Sequence, residues 1–137
     1  MTEWRWIGEA LILAIHDEQL SEHGGRPGVR DMGLLQSALA RPMNQAPMNQ
    51  AAYGKPDAFD LAAGYAFGIL RNHPFINGNK RVAFVAAAVF LADHDYEIEA
   101  SDESKLTAML HLAEGGMSEA DFAAWLRANT AAVPSSE

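Results

Sequence analysis

Nine consecutive residues carry most of the chemistry this chain can do: His73-Pro74-Phe75-Ile76-Asn77-Gly78-Asn79-Lys80-Arg81. The run is rich in turn formers and leads straight into the apolar stretch Val82–Leu91, which has the length and composition of a buried helix. A polar loop ending at the N-terminus of such a helix offers unpaired backbone N–H groups and the positive end of the helix dipole, which together cradle an anion. Gly78 lets the chain approach a ligand closely or adopt a positive φ, and Asn77 and Asn79 tolerate left-handed backbone and can hydrogen-bond the turn. Lys80 and Arg81 add two full positive charges beside those N–H groups. A phosphate, and above all a polyphosphate, is the anion that uses such a cluster best. His73 carries an imidazole, the side chain that suits a general base taking a proton from a hydroxyl attacking phosphorus. A histidine before proline is by itself most often a helix C-terminal residue bonding a carbonyl. Its convergence with the glycine, the two asparagines and the two cations favours the chemical reading.

The elements that must position this loop read as helices. Trp4, Ile7, Leu11, Ile12, Ile15 and Leu20 recur at helical spacing, and Gly24-Gly25 with Pro27 stop the first helix near His23. Asp31 caps a second helix, Met32–Arg41, which Pro42 ends. The near-repeat Met43-Asn44-Gln45-Ala46-Pro47 and Met48-Asn49-Gln50-Ala51-Ala52 reads as an exposed connection able to act as a flexible flap. A third helix starts at Asp57 or Asp60 and stops at His73, before Pro74. Tyr96–Glu99 reads as a short extended stretch. Asp102 caps a helix broken by Gly115-Gly116, Ser118 caps the last one, and Pro134–Glu137 frays. With no β-branched alternation of useful length, the expected architecture is an all-α bundle around a buried central helix, one domain over residues 1–137.

Composition narrows the field. The 137 residues, 49% hydrophobic and 20% charged, suit one compact domain with a core. Eighteen acidic residues against ten Lys plus Arg give −8 at neutral pH, so no direct nucleic-acid or membrane-surface binding is expected, and Lys80 and Arg81 run against the global charge. The absence of cysteine excludes disulfides, thiolate metal sites and a cysteine nucleophile. The N-terminus shows no secretory pattern and the longest apolar run, Val82–Ala92, falls short of the roughly 18–20 residues a bilayer demands, so a cytoplasmic protein is expected. Trp4, Trp6 and Trp125 read as packing residues. His16, His23, His94 and His111 have no metal-site spacing, and His94 between Asp93 and Asp95 reads as a solvated helix end.

The stretch His73–Arg81 resembles the motif of the Fic/Doc superfamily in its death-on-curing (Doc) branch, where a lysine stands as Lys80 does here. Ile15-His16-Asp17, Gly24-Gly25-x-Pro27-Gly28 and Asp31 are similar to the Doc N-terminal region. The resemblance implies a Fic/Doc-like helical bundle and a toxin of a toxin–antitoxin system. That toxin moves the γ-phosphoryl of ATP to a hydroxyl side chain of translation elongation factor Tu and inhibits translation. It makes His73 the base, with Lys80 and Arg81 completing the catalytic set. Phe75 becomes the loop's anchor, and Phe75, Asn77, Gly78, Asn79, Lys80 and Arg81 together the ATP site. It implies Mg²⁺ as well, with Asn77 where relatives carry a carboxylate, and a neutral amide oxygen is a poorer ligand for a hard cation. Phe84 replaces an arginine of many AMP-transferring members, which favours phosphoryl over AMP transfer. No inhibitory Ser/Thr-x-x-x-Glu helix is present, so restraint is expected in trans from a Phd-type antitoxin that carries any DNA contact. The alternatives are AMP transfer to a protein hydroxyl, or a catalytically silent co-repressor that acts through its antitoxin.

Overall fold

The computed structural model describes residues 4–52 and 56–134. Six helices follow in order: α1 (Glu9–His23), α2 (Met32–Ala52), α3 (Ala58–Asn72), α4 (Asn79–Asp93), α5 (Asp102–Glu114) and α6 (Glu119–Ala128). Two three-residue strands, β1 (Tyr96–Ile98) and β2 (Thr130–Ala132), pair antiparallel with Tyr96 opposite Ala132. The all-α expectation holds. Among the described residues no helix is long and apolar enough to cross a membrane.

Helix α4 is the axis. From Val82 to Leu91 no residue is exposed, and Val82, Ala83, Ala86, Ala87, Phe90 and Leu91 are buried. It packs against α3, α1, β1 and α5. Alanines on the facing surfaces of α3 (Ala62, Ala63, Ala66) and α4 (Ala83, Ala86, Ala87) are buried, which brings the two helices close and leaves room for Tyr65 and Phe90 between them. At 25 cal/mol per Å² of apolar surface, burying one such ring is worth about 2–3 kcal/mol.

The helix ends follow the sequence well. Asp57 makes a reciprocal capping box with Asp60 at the start of α3, and Ser118 makes one with Asp121 at the start of α6. Helix α5 is capped by Ser101 rather than Asp102, one residue earlier than expected, and Gly115 closes it.

Three expectations need correcting. Residues Trp4 to Gly8 are not helical, and α1 begins at Glu9. The stretch instead lies across α4: Trp4 stacks on Phe90 and His94, and the Arg5 N–H donates to His94 Nε2 at 3.0 Å while His94 Nδ1 bonds Phe90 O at 2.7 Å. His94 is therefore a half-buried fastener and not a solvated helix end. Pro42, second, does not end α2, which runs on to Ala52 through the expected connection. A proline inside a helix costs about 3 kcal/mol, and tertiary packing outweighs that here. Pro42 is fully buried, and Arg41 and Gln45 on either side of it both grip Glu119 of α6. Third, β2 had no counterpart in the reading. For the C-terminal Pro134–Glu137, residues 135–137 lie outside the described residues.

Helices α2 and α3 approach closely at Gly68, where an added Cβ would stand 3.3 Å from the Ala38 Cα and carbonyl oxygen. That carbonyl is the one Pro42, lacking an N–H, leaves unserved within the helix. Gly68→Ala gains about 1 kcal/mol of helix propensity but overpacks backbone at a typical cost of 1–3 kcal/mol. A net loss in urea unfolding is expected. Gly64→Ala meets side-chain rather than backbone atoms, Gln45 Oε1 at 2.6 Å, Pro42 Cγ at 3.4 Å and Glu119 Oε2 at 3.5 Å, and should lose less if the Gln45 amide shifts.

Tyr65 gives a pH signature. Its hydroxyl is buried and accepts the Ile7 N–H at 2.8 Å, and burial pushes its pKa from 10.0 up to about 12. The folded chain thus holds this proton more tightly than the unfolded chain. The associated stability is complete below pH 10 and is lost as pH rises from 10 through about 12. Two units correspond to roughly 2–3 kcal/mol. Denaturant unfolding between pH 8 and 12 should show this decline, and Tyr65→Phe should be about 1–2 kcal/mol less stable at pH 8 yet decline less steeply.

Candidate functional site

The loop between α3 and α4 has an unusual hydrogen-bond economy. Every carbonyl from Asn72 to Gly78 is occupied. The Arg30 guanidinium donates to Asn72 O at 2.8 Å and to His73 O at 2.7 Å, closing the C-terminus of α3. The Arg30 and Asp31 N–H groups reach Pro74 O. Asn79 Nδ2 donates to Phe75 O at 2.9 Å, Asn77 Nδ2 to Ile76 O at 2.8 Å, and His16 Nε2 to Asn77 O at 2.9 Å. Gly78 O takes the Val82 N–H.

The donors are arranged the other way. The N–H groups of Gly78, Asn79, Lys80 and Arg81 have no partner among the described residues, and α4 has no side-chain cap. Gly78 turns the chain into the helix at φ 85, the left-handed region open to glycine. Lys80 and Arg81 are exposed, and neither makes an ion pair with any described residue. The surface here offers donors and positive charge with its acceptors spent inside, which is the chemistry of an anion site.

The sequence-derived residues fall as follows. Phe75 is buried and stacks on His16, ring centroids 4.0 Å apart and nearly parallel. Asn79 is buried at 5% exposure, and its amide brackets the Phe75 backbone, Oδ1 accepting the Phe75 N–H at 3.0 Å. His73 ends α3 in left-handed backbone at φ 48, uncommon for a non-glycine residue, and is exposed with its Nδ1 3.2 Å from Asn79 Nδ2. Asn77 is exposed, and its Oδ1 accepts the Arg26 N–H at 2.8 Å. Helix α4 starts at Asn79, three residues before the expected Val82, which puts Lys80 and Arg81 in its first turn.

That geometry bears on a metal. The loop supplies one neutral oxygen already engaged by a backbone donor, and among the described residues no three His, Asp or Glu side chains stand together. The residues present do not make a resident Mg²⁺ site.

Three positioning residues escaped the sequence reading. His16 lies on the buried face of α1 with Ile12, Ile15 and Gln19, a polar residue on an apolar stripe, and that placement was the available signal. Arg26 and Arg30 belong to the segment between α1 and α2, which pairs with the loop through a Val29–Phe75 bridge and the Ile76 N–H to Gly28 O bond. No spacing in the sequence announces that pairing. Apolar grooves of about 400 and 440 Å³ lie elsewhere, one lined by Trp6, Leu11 and Phe90, the other by Met117 and Trp125.

A helical bundle whose buried central helix opens on a loop of unpaired N–H donors and cations, with an exposed histidine at its start, defines the class, and comparison with known proteins gives the family. The model of the Fic/DOC family matches residues 6–91, a span that holds α1 to α3, the whole loop and all but the last two residues of α4. The chain belongs to that family. It is 30% identical over 99 residues to the protein kinase doc of Escherichia phage P1, covering 72% of this chain and 75% of that protein. It is 42% identical over 71 residues to the toxin Doc of Mycolicibacterium smegmatis, covering half of each.

His16→Phe tests the support beneath the loop. It keeps the ring on Phe75 and removes the donor to Asn77 O, so a loss of about 1–2 kcal/mol is expected in urea unfolding. Pyrophosphate binding, followed by titration calorimetry, should weaken several-fold.

Proposed function

We propose that this chain is a Doc-type toxin, an enzyme that transfers the γ-phosphoryl of ATP to a hydroxyl side chain of a protein, with translation elongation factor Tu as the acceptor. One observation carries the chemistry: the loop's carbonyls from Asn72 to Gly78 are all bonded inward, while the N–H groups of Gly78 to Arg81 and two unpaired cations face outward. Phosphoryl transfer asks a protein mainly for positioning and charge neutralisation, plus one base.

In this reading Lys80, Arg81 and the first-turn N–H groups hold the polyphosphate. The acceptor hydroxyl attacks the γ-phosphorus, its proton passes to the His73 imidazole, and the bond from phosphorus to the β–γ bridging oxygen breaks to release ADP. The likeness to the protein kinase doc of phage P1 supports phosphoryl transfer. So does Phe84, which stands at the position of an arginine in many AMP-transferring members and packs edge-on against Trp125, ring centroids 6.3 Å apart. Any divalent cation would come with the nucleotide, since the loop does not hold one by itself. Inhibition in trans by a Phd-type antitoxin belongs to the same proposal.

The test uses purified protein, elongation factor Tu, and ATP labelled separately at the α and γ phosphates. Label from γ alone on the factor is expected. Label from α would turn the assignment to AMP transfer. His73→Gln should cut transfer at least 100-fold, within the range of general-base contributions, while it still binds ATP. Lys80→Ala and Arg81→Ala should weaken ATP binding. A folded protein that transfers neither label and arrests no growth would overturn the enzymatic reading in favour of a silent antitoxin-binding protein.

A further inference from the structure

The Asn79 side chain is fixed by bonds that do not involve His73. Its Oδ1 faces the Phe75 N–H at 3.0 Å and its Nδ2 faces Phe75 O at 2.9 Å. Flipping the amide would set donor against donor and acceptor against acceptor at both contacts, so the assignment of oxygen and nitrogen follows from the backbone it brackets. One Nδ2 hydrogen is used on Phe75 O, and the other is free to bond His73 Nδ1, 3.2 Å away. An amide nitrogen only donates. Nδ1 must therefore be the accepting, unprotonated nitrogen, and in the neutral ring the proton sits on Nε2. No described residue bonds Nε2.

We propose that Asn79 is a positioning residue that holds resting His73 as the Nε2–H tautomer, with the ring's basic lone pair at Nδ1 covered by the Asn79 amide. The proposal rests on the reading of His73 as base and adds how that base is held. Before substrate arrives, the uncovered nitrogen of the exposed ring is a donor, suited to a phosphate oxygen, and it cannot take a proton. Acceptance of the hydroxyl proton requires the Asn79 contact to be released, either by the hydroxyl displacing the amide at Nδ1 or by a tautomer change. Idle base catalysis toward water is thereby disfavoured.

The experiment is nuclear magnetic resonance of the full chain with ¹⁵N-labelled histidine and asparagine, at a pH where the imidazoles are neutral, with His73 signals assigned by their loss in His73→Gln. Complete Nε2–H character is expected, with a correlation across the hydrogen bond between Asn79 Nδ2 and His73 Nδ1. A protonated Nδ1, or the tautomer mixture of a free imidazole, overturns the proposal. Asn79→Asp replaces the donor by an acceptor and should move the proton to Nδ1; an unchanged tautomer in the folded variant also overturns it. Should Asn79→Asp not fold, because Phe75 O loses its donor, the wild-type spectrum decides alone. The readout needs no activity, so a failure of the base reading would show separately, as unimpaired phosphoryl transfer by His73→Gln.

Discussion

The structure turns on a loop that satisfies its own acceptors while leaving its donors open. A buried carbonyl without a partner costs about 1–3 kcal/mol, and here the carbonyls of buried Pro74 and Phe75 are bonded, as are those of the more exposed residues on either side. Several devices meet them. Arg30 closes the end of α3, the neighbouring backbone pairs with Pro74, Asn77 and Asn79 fold back on the loop, and His16 reaches up from α1. This explains why α1 and the segment after it must dock where they do. Their polar groups are required by the loop as much as their apolar faces are required by the core, and Phe75 under the His16 ring ties the two demands together.

Charge follows the same division. On a chain of net charge −8, Arg5, Arg41 and Arg127 are paired with Asp93, Glu119 and the Asp57/Asp60 couple, all away from the loop. Arg26, Arg30, Lys80 and Arg81 stand at or beside the loop and make no ion pair with a described residue. Lys80 and Arg81 are thus left unpaired where the first turn of α4 already favours an anion. Net charge alone therefore described the surface and concealed the site.

What the sequence made legible was local. Caps such as Asp57 and Ser118, the glycine break at Gly115 and the apolar run of α4 depend on neighbours a few residues away, and the loop's chemistry lies within nine residues. What it hid depends on distant partners. Pro42 breaks a helix by its local rule, yet Glu119, 78 residues from Arg41, holds the turn around it together. Strand β2, Thr130–Ala132, has no strand pattern of its own and exists because β1 offers an edge. Trp4 to Gly8 have helical spacing but are not helical, because the Arg5 N–H, Trp4 and the Ile7 N–H find His94, Phe90 and Tyr65. Arg30 and His16 belong to the same class, their roles set by a loop more than 40 residues further on.

The openness of the site constrains what can use it. His73, Ile76, Asn77, Lys80 and Arg81 are exposed, and the grooves lined by Trp6 and Trp125 lie elsewhere. On the proposed reading, phosphoryl transfer to a hydroxyl competes with hydrolysis unless water is displaced, and the exposed loop residues are open to water. On that reading an acceptor large enough to cover the exposed loop also displaces the water, which favours a macromolecule over a small alcohol. Exposed Ile76 beside the cations gives such an acceptor an apolar contact at the point of reaction. On the same reading, a base that is kept covered until the acceptor arrives suits so open a site, and the buried Asn79 amide, 3.2 Å from His73 Nδ1, is placed to cover it.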